Sequence, residues 1–513
     1  MDAVALAVFV NRVNAVCDQM GAVLRRAAFS PNIRDRLDFS CAIFDPDGAL
    51  CAQAAHIPVH LGSMAYAMAD IVETRDWAPG DIVLLNDPFR GGTHLPDVTV
   101  VMPVFHGNAL AGFVANRAHH SDIGSQSPGS LPLSDRLEDE GVLIPPMLAG
   151  TGGRLDEERL APVIRRMNQP ELVAADFAAQ VAANRAGIDQ LTELVDAMGV
   201  SAWQQALAEV NAYAERLGRS ALREIPDGRY EFTDTMDDDG FGARDLAIKV
   251  AVECSGGDIR VDFAGTAGQV RGNINCPLSV TAAAVFYVFR CLMPAQTPGA
   301  AGAFRCIELQ APHGSLVHAR SPAAVAAGNV ETSSRIVDAV MGALARAVPE
   351  RMAAASQGTM NNLAMGSRAG HRWDYYETLG GGMGASIRGP GLDAVHSHMT
   401  NTLNTPVEVV EMSWPLRIRR YGLRPGSGGA GAHPGGRGVI REYEFLAAAE
   451  VSLISERRRH GPWGLNGGAA GLCGENRFNG RPLPGKTRLR AAPGDVLRLE
   501  TPGGGGWGAQ GGA

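Results

Sequence analysis

His94, Asp97, His119, His120 and Asp122 lie within one short span of the chain. Imidazole nitrogens and carboxylate oxygens that converge on one point are what a divalent metal such as zinc, manganese or iron needs. The group carries the argument, because a single histidine near a strand end is more often a hydrogen-bonded residue than a ligand. The span holds three strand-like runs, DIVLLND (Asp81–Asp87), DVTVVMPVF (Asp97–Phe105) and ALAGFVANRAHH (Ala109–His120). His106-Gly107-Asn108 supplies the residues of a tight hairpin turn between the second and third. In an antiparallel hairpin, facing residues share one sum of sequence numbers, and a turn centred on Gly107 sets that sum at about 214. Asp97 then faces Arg117, His94 faces His120, and the polar cluster gathers at one end of an otherwise apolar sheet. The loop Arg90-Gly91-Gly92-Thr93 contains two residues free to take positive φ, so it can fold tightly over that end.

A second hairpin brings another acid near another histidine. LDFSCAIF (Leu37–Phe44) and ALCAQAAHI (Ala49–Ile57) flank the turn Asp45-Pro46-Asp47-Gly48. The same rule, with a sum near 93, sets Asp38 opposite Ala55 and close to His56. Asp38 is a further ligand candidate, while His56 and His60 read as supporting residues. Downstream, residues 123–146 are rich in Gly, Ser and Pro and then acidic, the composition of a substrate-binding loop beside a polar cluster. Glu138 and Glu140 there are candidate general bases or ligands, set against the plainer reading of a solvated acidic turn. His396 and His398 could line a pocket, although an H-x-H pattern alone is weak evidence.

The chain has 513 residues, 45% of them hydrophobic, enough for a large core. A net charge of −8 and a pI near 5.9 argue against nucleic-acid binding. The densest basic group, Arg457-Arg458-Arg459-His460, reads as a solvated loop or partner contact. Eight cysteines include no C-x-x-C pair, which fits buried thiols in a reducing cytosol. The N-terminus lacks a basic leader segment, and no apolar run approaches the ~20 residues of a membrane helix. The expectation is a soluble, cytoplasmic protein that spans no membrane.

Apolar spacing predicts a first helix over residues 3–28, a second over Ser63–Thr74, and long helices over Leu155–Met167 and Pro170–Leu217, punctuated by Gly187 and Gly199. From Gly228 the period changes to that of a β-meander (YEFTDTM, LAIKVAVEC, DIRVDFAG). Helical patterns return at Val280–Leu292, at Thr332–Val348 and over Glu350–Ala355. Short strands (REYEF, VSLIS, VLRLE) and a glycine run closed by Trp507 make up the tail. The glycine-rich stretch 361–384 matches neither a P-loop nor a dinucleotide fingerprint and reads as a close-packed loop. The expected class is α+β, a mixed multi-layer fold of β-hairpins and meanders with a long helical segment in the first half and short C-terminal strands. The expected regions are 1–150 (metal-site hairpins and first helix), 151–225 (helical), 226–330 (β-meander), 331–430 (glycine-rich pocket) and 431–513 (C-terminal β).

With these residues in view, the chain resembles the hydantoinase B family: B-type subunits of N-methylhydantoinase and caprolactamase, the matching part of 5-oxoprolinase, and a related acetone carboxylase subunit. The likeness is carried by RLDFSCA (Arg36–Ala42), NDPFRGGTHLPD (Asn86–Asp97), NRAHHSDIG (Asn116–Gly124), GVLIPP (Gly141–Pro146), GNVETS (Gly328–Ser333), HMTNT (His398–Thr402) and the terminal glycines. Asp35 stands where Glu is the commoner residue. The resemblance implies Asp38, His94, Asp97 and His119 as ligands of a divalent metal (Zn or Mn), with His120, Asp122 or Glu138 as acid/base groups. It implies a hetero-oligomer in which a hydantoinase A-type ATP-binding subunit uses ATP to phosphorylate a cyclic amide (a hydantoin, 5-oxoproline or a lactam). This chain would then complete hydrolysis through a metal-bound water. The alternatives are an acetone-carboxylase-like carboxylase subunit and a non-catalytic scaffold for the A-type subunit.

Overall fold

The computed structural model describes residues 1–55, 57–368 and 372–511. The expected contact of Asp38 with His56 lies outside the described residues. The chain forms an α+β fold with four sheets among the described residues. The first is antiparallel with seven strands: β1 (Phe39–Phe44), β2 (Leu50–Ala55), β3 (Ile82–Leu85), β4 (Asp97–His106), β5 (Ala109–His119), β6 (Met147–Thr151) and β7 (Arg154–Leu155), in the order β2-β1-β5-β4-β3-β6-β7. Its central strands are buried along nearly their whole length because helices cover both faces. Helix α1 (Ala3–Ala27) and the helix Pro170–Met198 cover one face. The helix His60–Val72 covers the other, packing Met64, Met68 and Ile71 on Phe44, Val83, Leu85 and Phe113. Continuous apolar runs in the sequence follow from this double burial.

Two register expectations shift. Asp97 pairs with His119, Thr99 with Arg117, and the amide of His120 bonds the carbonyl of Pro96. The turn is the two-residue Gly107-Asn108, and a bulge between Val104 and Phe105 inserts one more step, so the pairing sum is larger than a turn centred on Gly107 allows. The hairpin β1–β2 is bulged in the same way at Ile43/Phe44, so Ser40 and not Asp38 faces Ala55. Asp38 instead bonds the start of the neighbouring strand pair, its carbonyl accepting from His119 N–H at 3.0 Å.

The long helical segment is two helices, Pro170–Met198 and Val200–Leu222, parted at Gly199 (φ +80°). Gly187 does not interrupt its helix. A Cβ there would meet Met20 Sδ at 2.5 Å, so the glycine lets α1 cross closely. The meander Gly228–Asp238, Arg244–Ser255, Asp258–Asp262 gains a parallel fourth strand, Ile307–Gln310. Helix Ser333–Leu344 packs on it and is entered through a π-helical turn, Gly328–Thr332. Glu350–Ala355 is not helical beyond a single turn at Pro349–Arg351. The C-terminal third forms the two remaining sheets. The glycine-rich stretch 361–384 is close-packed as expected, a Cβ on Gly382 lying 2.0 Å from the Gly436 carbonyl oxygen, and the terminal glycines pack against it, a Cβ on Gly504 lying 2.0 Å from the Met383 carbonyl oxygen.

The basic group at 457–460 is not a solvated loop. Arg457 is buried and bridges Asp234 (2.9 Å) and Asp338 (2.5 Å), and Arg335 and Lys486 join it through Asp234 and Glu456. Arg459 and His460 reach the surface, where both meet Asp245. No helix among the described residues is long and apolar enough to cross a membrane. All eight cysteines are free thiols.

Candidate metal centre

Local chain geometry assembles the cluster. Asp87 caps the short turn Pro88–Arg90, and Gly91 (φ +83°) then folds back so closely on the helix His60–Val72 that a Cβ would lie 2.1 Å from Ala67 N. The next residues form a turn in which Asp97 N–H bonds the His94 carbonyl at 3.0 Å, setting both side chains on one side. Strand pairing brings His119 opposite Asp97, and the Asp38 carbonyl ties β1 to the same point. His60, the first residue of its helix, closes the group.

His94 Nε2 lies 3.3 Å and His60 Nε2 3.5 Å from Asp97 Oδ2. One ligand atom each from His94, Asp97 and His119 falls within 4.8 Å of the others. Outer contacts orient the rings: His94 Nδ1 approaches the Ala326 carbonyl at 3.3 Å, His60 Nδ1 lies 2.9 Å from Ser40 Oγ, and Asn32 Nδ2 lies 3.1 Å from His119 Nδ1. The Thr93 hydroxyl donates to Asp97 Oδ2 at 2.5 Å. Tyr376 stacks on the His119 ring at 5.1 Å, and Arg36 lies over Tyr376.

Electrostatics favour a cation. Burial raises the Asp97 carboxyl, but the imidazoles of His94 and His60 outweigh it and hold the group well below the usual carboxylate range. Burial, then the adjacent His94, pushes His119 well down, so its ring is neutral. Burial, with Asp97 as a further like charge, raises Asp38 even against Arg36. Nε2 of His119 and Oδ1 of Asp97 are buried without a hydrogen-bond partner, and Nε2 of His60 and His94 have only Asp97 Oδ2 nearby, in poor hydrogen-bond geometry. Each such orphan costs about 1–3 kcal/mol, and one divalent cation would satisfy the group. The surrounding cavity, about 20 Å³ and also lined by Asp38, is the size of one ion or water. These residues fit a divalent metal.

Of the sequence candidates, Asp38, His94, Asp97 and His119 come together with His60, which the sequence reads only as a supporting residue, whereas His120, Asp122 and Glu138 lie elsewhere. His120 points through the sheet, its Nε2 3.0 Å from Gln180 Oε1 and its ring against Phe177. Asp122 accepts from the N–H of Gly124 and Gln169 and from Asn168 Nδ2, anchoring the start of the helix Pro170–Met198. Glu138 is 67% exposed and pairs with Arg136, the solvated-turn reading. Glu140 is the buried acid of that segment. It accepts from Ser134 Oγ (2.9 Å) and Val325 N–H (3.0 Å), bracing the chain beside the Ala326 carbonyl that orients His94. Burial raises its carboxyl to about 7. Sequence reasoning missed Tyr376, Asn329 and Met360 as walls of the cavity; Asn329 lies inside the quoted GNVETS block, whereas Tyr376 carried no local signal.

The family model described as hydantoinase B/oxoprolinase matches residues 2–510. The chain belongs to the hydantoinase B/oxoprolinase family. Among relatives of this family member, 5-oxoprolinase 1 of Arabidopsis thaliana is 38% identical over 99% of the chain. The chain spans 42% of that protein, and about two fifths of the 5-oxoprolinases it matches. The ATP-dependent caprolactamase of Pseudomonas jessenii has a similar structure, with a TM-score of 0.93 at 28% identity, covering 99% of this chain and 91% of that one. Acetone carboxylase in a nucleotide-free structure shares the fold, with a TM-score of 0.88 at 18% identity over 99% of this chain and 76% of that one.

Proposed function

We propose that this hydantoinase B-family chain is the B-type catalytic subunit of an ATP-dependent cyclic amide hydrolase. It would act on a hydantoin, 5-oxoproline or a lactam together with an A-type ATP-binding partner. The observation that carries the reading is the set of buried, unpartnered donor atoms on His94, Asp97 and His119. Asp38 stands beside them in a cavity sized for one ion. A divalent cation held by these residues supplies a Lewis acid that polarises a carbonyl and lowers the pKa of a water.

The chain's own residues prepare the site. Asp97, held as an anion by His94 and His60, leaves Oδ1 open after Thr93 occupies Oδ2. The Ala326 carbonyl accepts from His94 Nδ1, which turns Nε2 toward Asp97 and the cavity. Ile57, Val59, Val330, Met360 and Met399 line the cavity with buried apolar side chains that exclude bulk water. An amide is a poor electrophile, and phosphorylation of its oxygen by the partner would convert that oxygen into a leaving group.

Co-expression with an A-type partner, followed by a screen of hydantoin, 5-oxo-L-proline and caprolactam with ATP and added Zn²⁺ or Mn²⁺, tests the reading. Ring opening that needs both chains and ATP is expected. Ring opening by this chain alone without ATP, or none under any condition, would overturn it. ATP use that depends on bicarbonate and a ketone would mark a carboxylase instead.

A further inference from the structure

Size separates the metal centre from the place where a substrate ring can sit. The cavity at His94, Asp97 and His119 measures about 20 Å³, whereas small-molecule pockets run to roughly 300–1,000 Å³. A five- or seven-membered ring amide does not fit inside that cavity and must be held in a space adjoining it. Thr400 lines the metal cavity and also forms part of the wall of an open cleft of about 810 Å³. A second cleft of about 550 Å³, around Asn11 and Gln296, shares no residue with the metal cavity. A pocket at Trp414 reaches Tyr376 but measures only about 240 Å³.

The large cleft has the mixed wall that a neutral ring amide needs. Met341, Met352 and Leu292 give it an apolar side. His396 and His398 line it, and Nε2 of His398 is buried without a hydrogen-bond partner. Such an atom in a cleft wall is an unmet donor or acceptor. His398 Nε2 lies 3.6 Å from Asp338 Oδ1, its ring edge meets Tyr287 at 5.9 Å, and its backbone takes φ +59°, a left-handed conformation that the surroundings must hold. Asp338 is fixed in turn by Arg457. Burial, then Arg36, holds His396 down at about 4, so at neutral pH that ring offers one donor and one acceptor. A cyclic amide presents the matching pair, an N–H and a C=O.

We infer that this cleft is the chamber for the ring of a neutral cyclic amide, with His396 and His398 holding the amide edge next to the metal cavity at Thr400. The inference rests on the cyclic amide reading above and adds the residues that recognise the substrate.

The test uses the complex of this chain with its A-type partner, loaded with metal and supplied with ATP, and whichever of 5-oxo-L-proline, hydantoin or caprolactam the wild type opens. Met341→Trp fills the cleft, His398→Asn and His396→Asn remove the imidazoles, and Gln296→Trp fills the unconnected cleft as a control. The expected result is a tenfold or larger rise in KM for the ring amide in the three cleft variants, with bound metal unchanged and Gln296→Trp within twofold of wild type. Cys291, exposed in the cleft wall, gives a measurement on the unaltered chain. The ring amide at ten times KM should slow its alkylation several-fold while leaving Cys473 unprotected. KM within twofold in all three variants, or unprotected Cys291, would overturn the assignment even though the complex is active. A wild-type complex that opens no ring fails before any variant is made, which refutes the cyclic amide reading itself.

Discussion

The backbone carbonyl of Asp38 accepts the amide hydrogen of His119 at 3.0 Å. Two ligand candidates far apart in the chain are thus joined main chain to main chain, and neither can move without the other. His94 and Asp97 are held by a turn, and Asp97 by pairing with His119, so rigid backbone sets the whole cluster.

Gly91 is where that rigidity depends on one missing atom. Gly91→Ala places a methyl 2.1 Å from Ala67 N at a φ of +83°, and relief would require moving the loop that carries His94. We expect a loss of several kcal/mol in denaturant unfolding together with weakened metal binding. Metal affinity unchanged in a folded Gly91→Ala protein would contradict the loop's role.

Arg457 neutralises two buried carboxylates, those of Asp234 and Asp338. Removing one partner of a buried ion pair costs about 3–5 kcal/mol, because the charges left behind are unpaired. Arg457→Met should therefore lower the urea midpoint sharply. A midpoint within experimental error of wild type would show the cluster to be dispensable.

Glu331 gives a pH dependence with a defined sign. Its carboxyl is fully buried, and burial raises it to about 7 from 4.5 despite hydrogen bonds from Asn362 (2.6 Å) and Met360 N–H (2.9 Å). The folded chain binds this proton more tightly than the unfolded one. The associated stability is therefore complete below about 4.5 and is lost as pH rises to about 7. Glu331→Gln keeps the accepting oxygen and removes the ionisation. It should leave stability near pH 5 almost unchanged and raise it at pH 8, by up to about 3 kcal/mol at 1.36 kcal/mol per unit. Equal stability changes at both pH values would refute the assignment.

How far the sequence carried the site follows from the range of its rules. Period-2 patterns and turn residues found β4, β5 and their shared end, because hairpin contacts are local. The register slipped where bulges at Val104/Phe105 and Ile43/Phe44 added steps that composition does not mark. His120 lies apart from the cluster for a related reason: adjacent strand residues face opposite sides, so His119 in the cluster sends its neighbour to Gln180. Glu138 and Glu140 differ by one helical half-turn, and only packing against residues 325–326 separates the solvated acid from the buried one. Arg457 looked solvated because its partners, Asp234 and Asp338, are more than a hundred residues away. No spacing rule reaches across such distances.

Metal analysis of the purified chain, after equilibration with Zn²⁺ or Mn²⁺ and removal of free ion, tests the central claim most directly. One equivalent of metal per wild-type chain is predicted, with near-complete loss in folded His94→Ala and His119→Ala variants. Far less than one equivalent in the wild type, or a full equivalent retained after either substitution, would contradict the account.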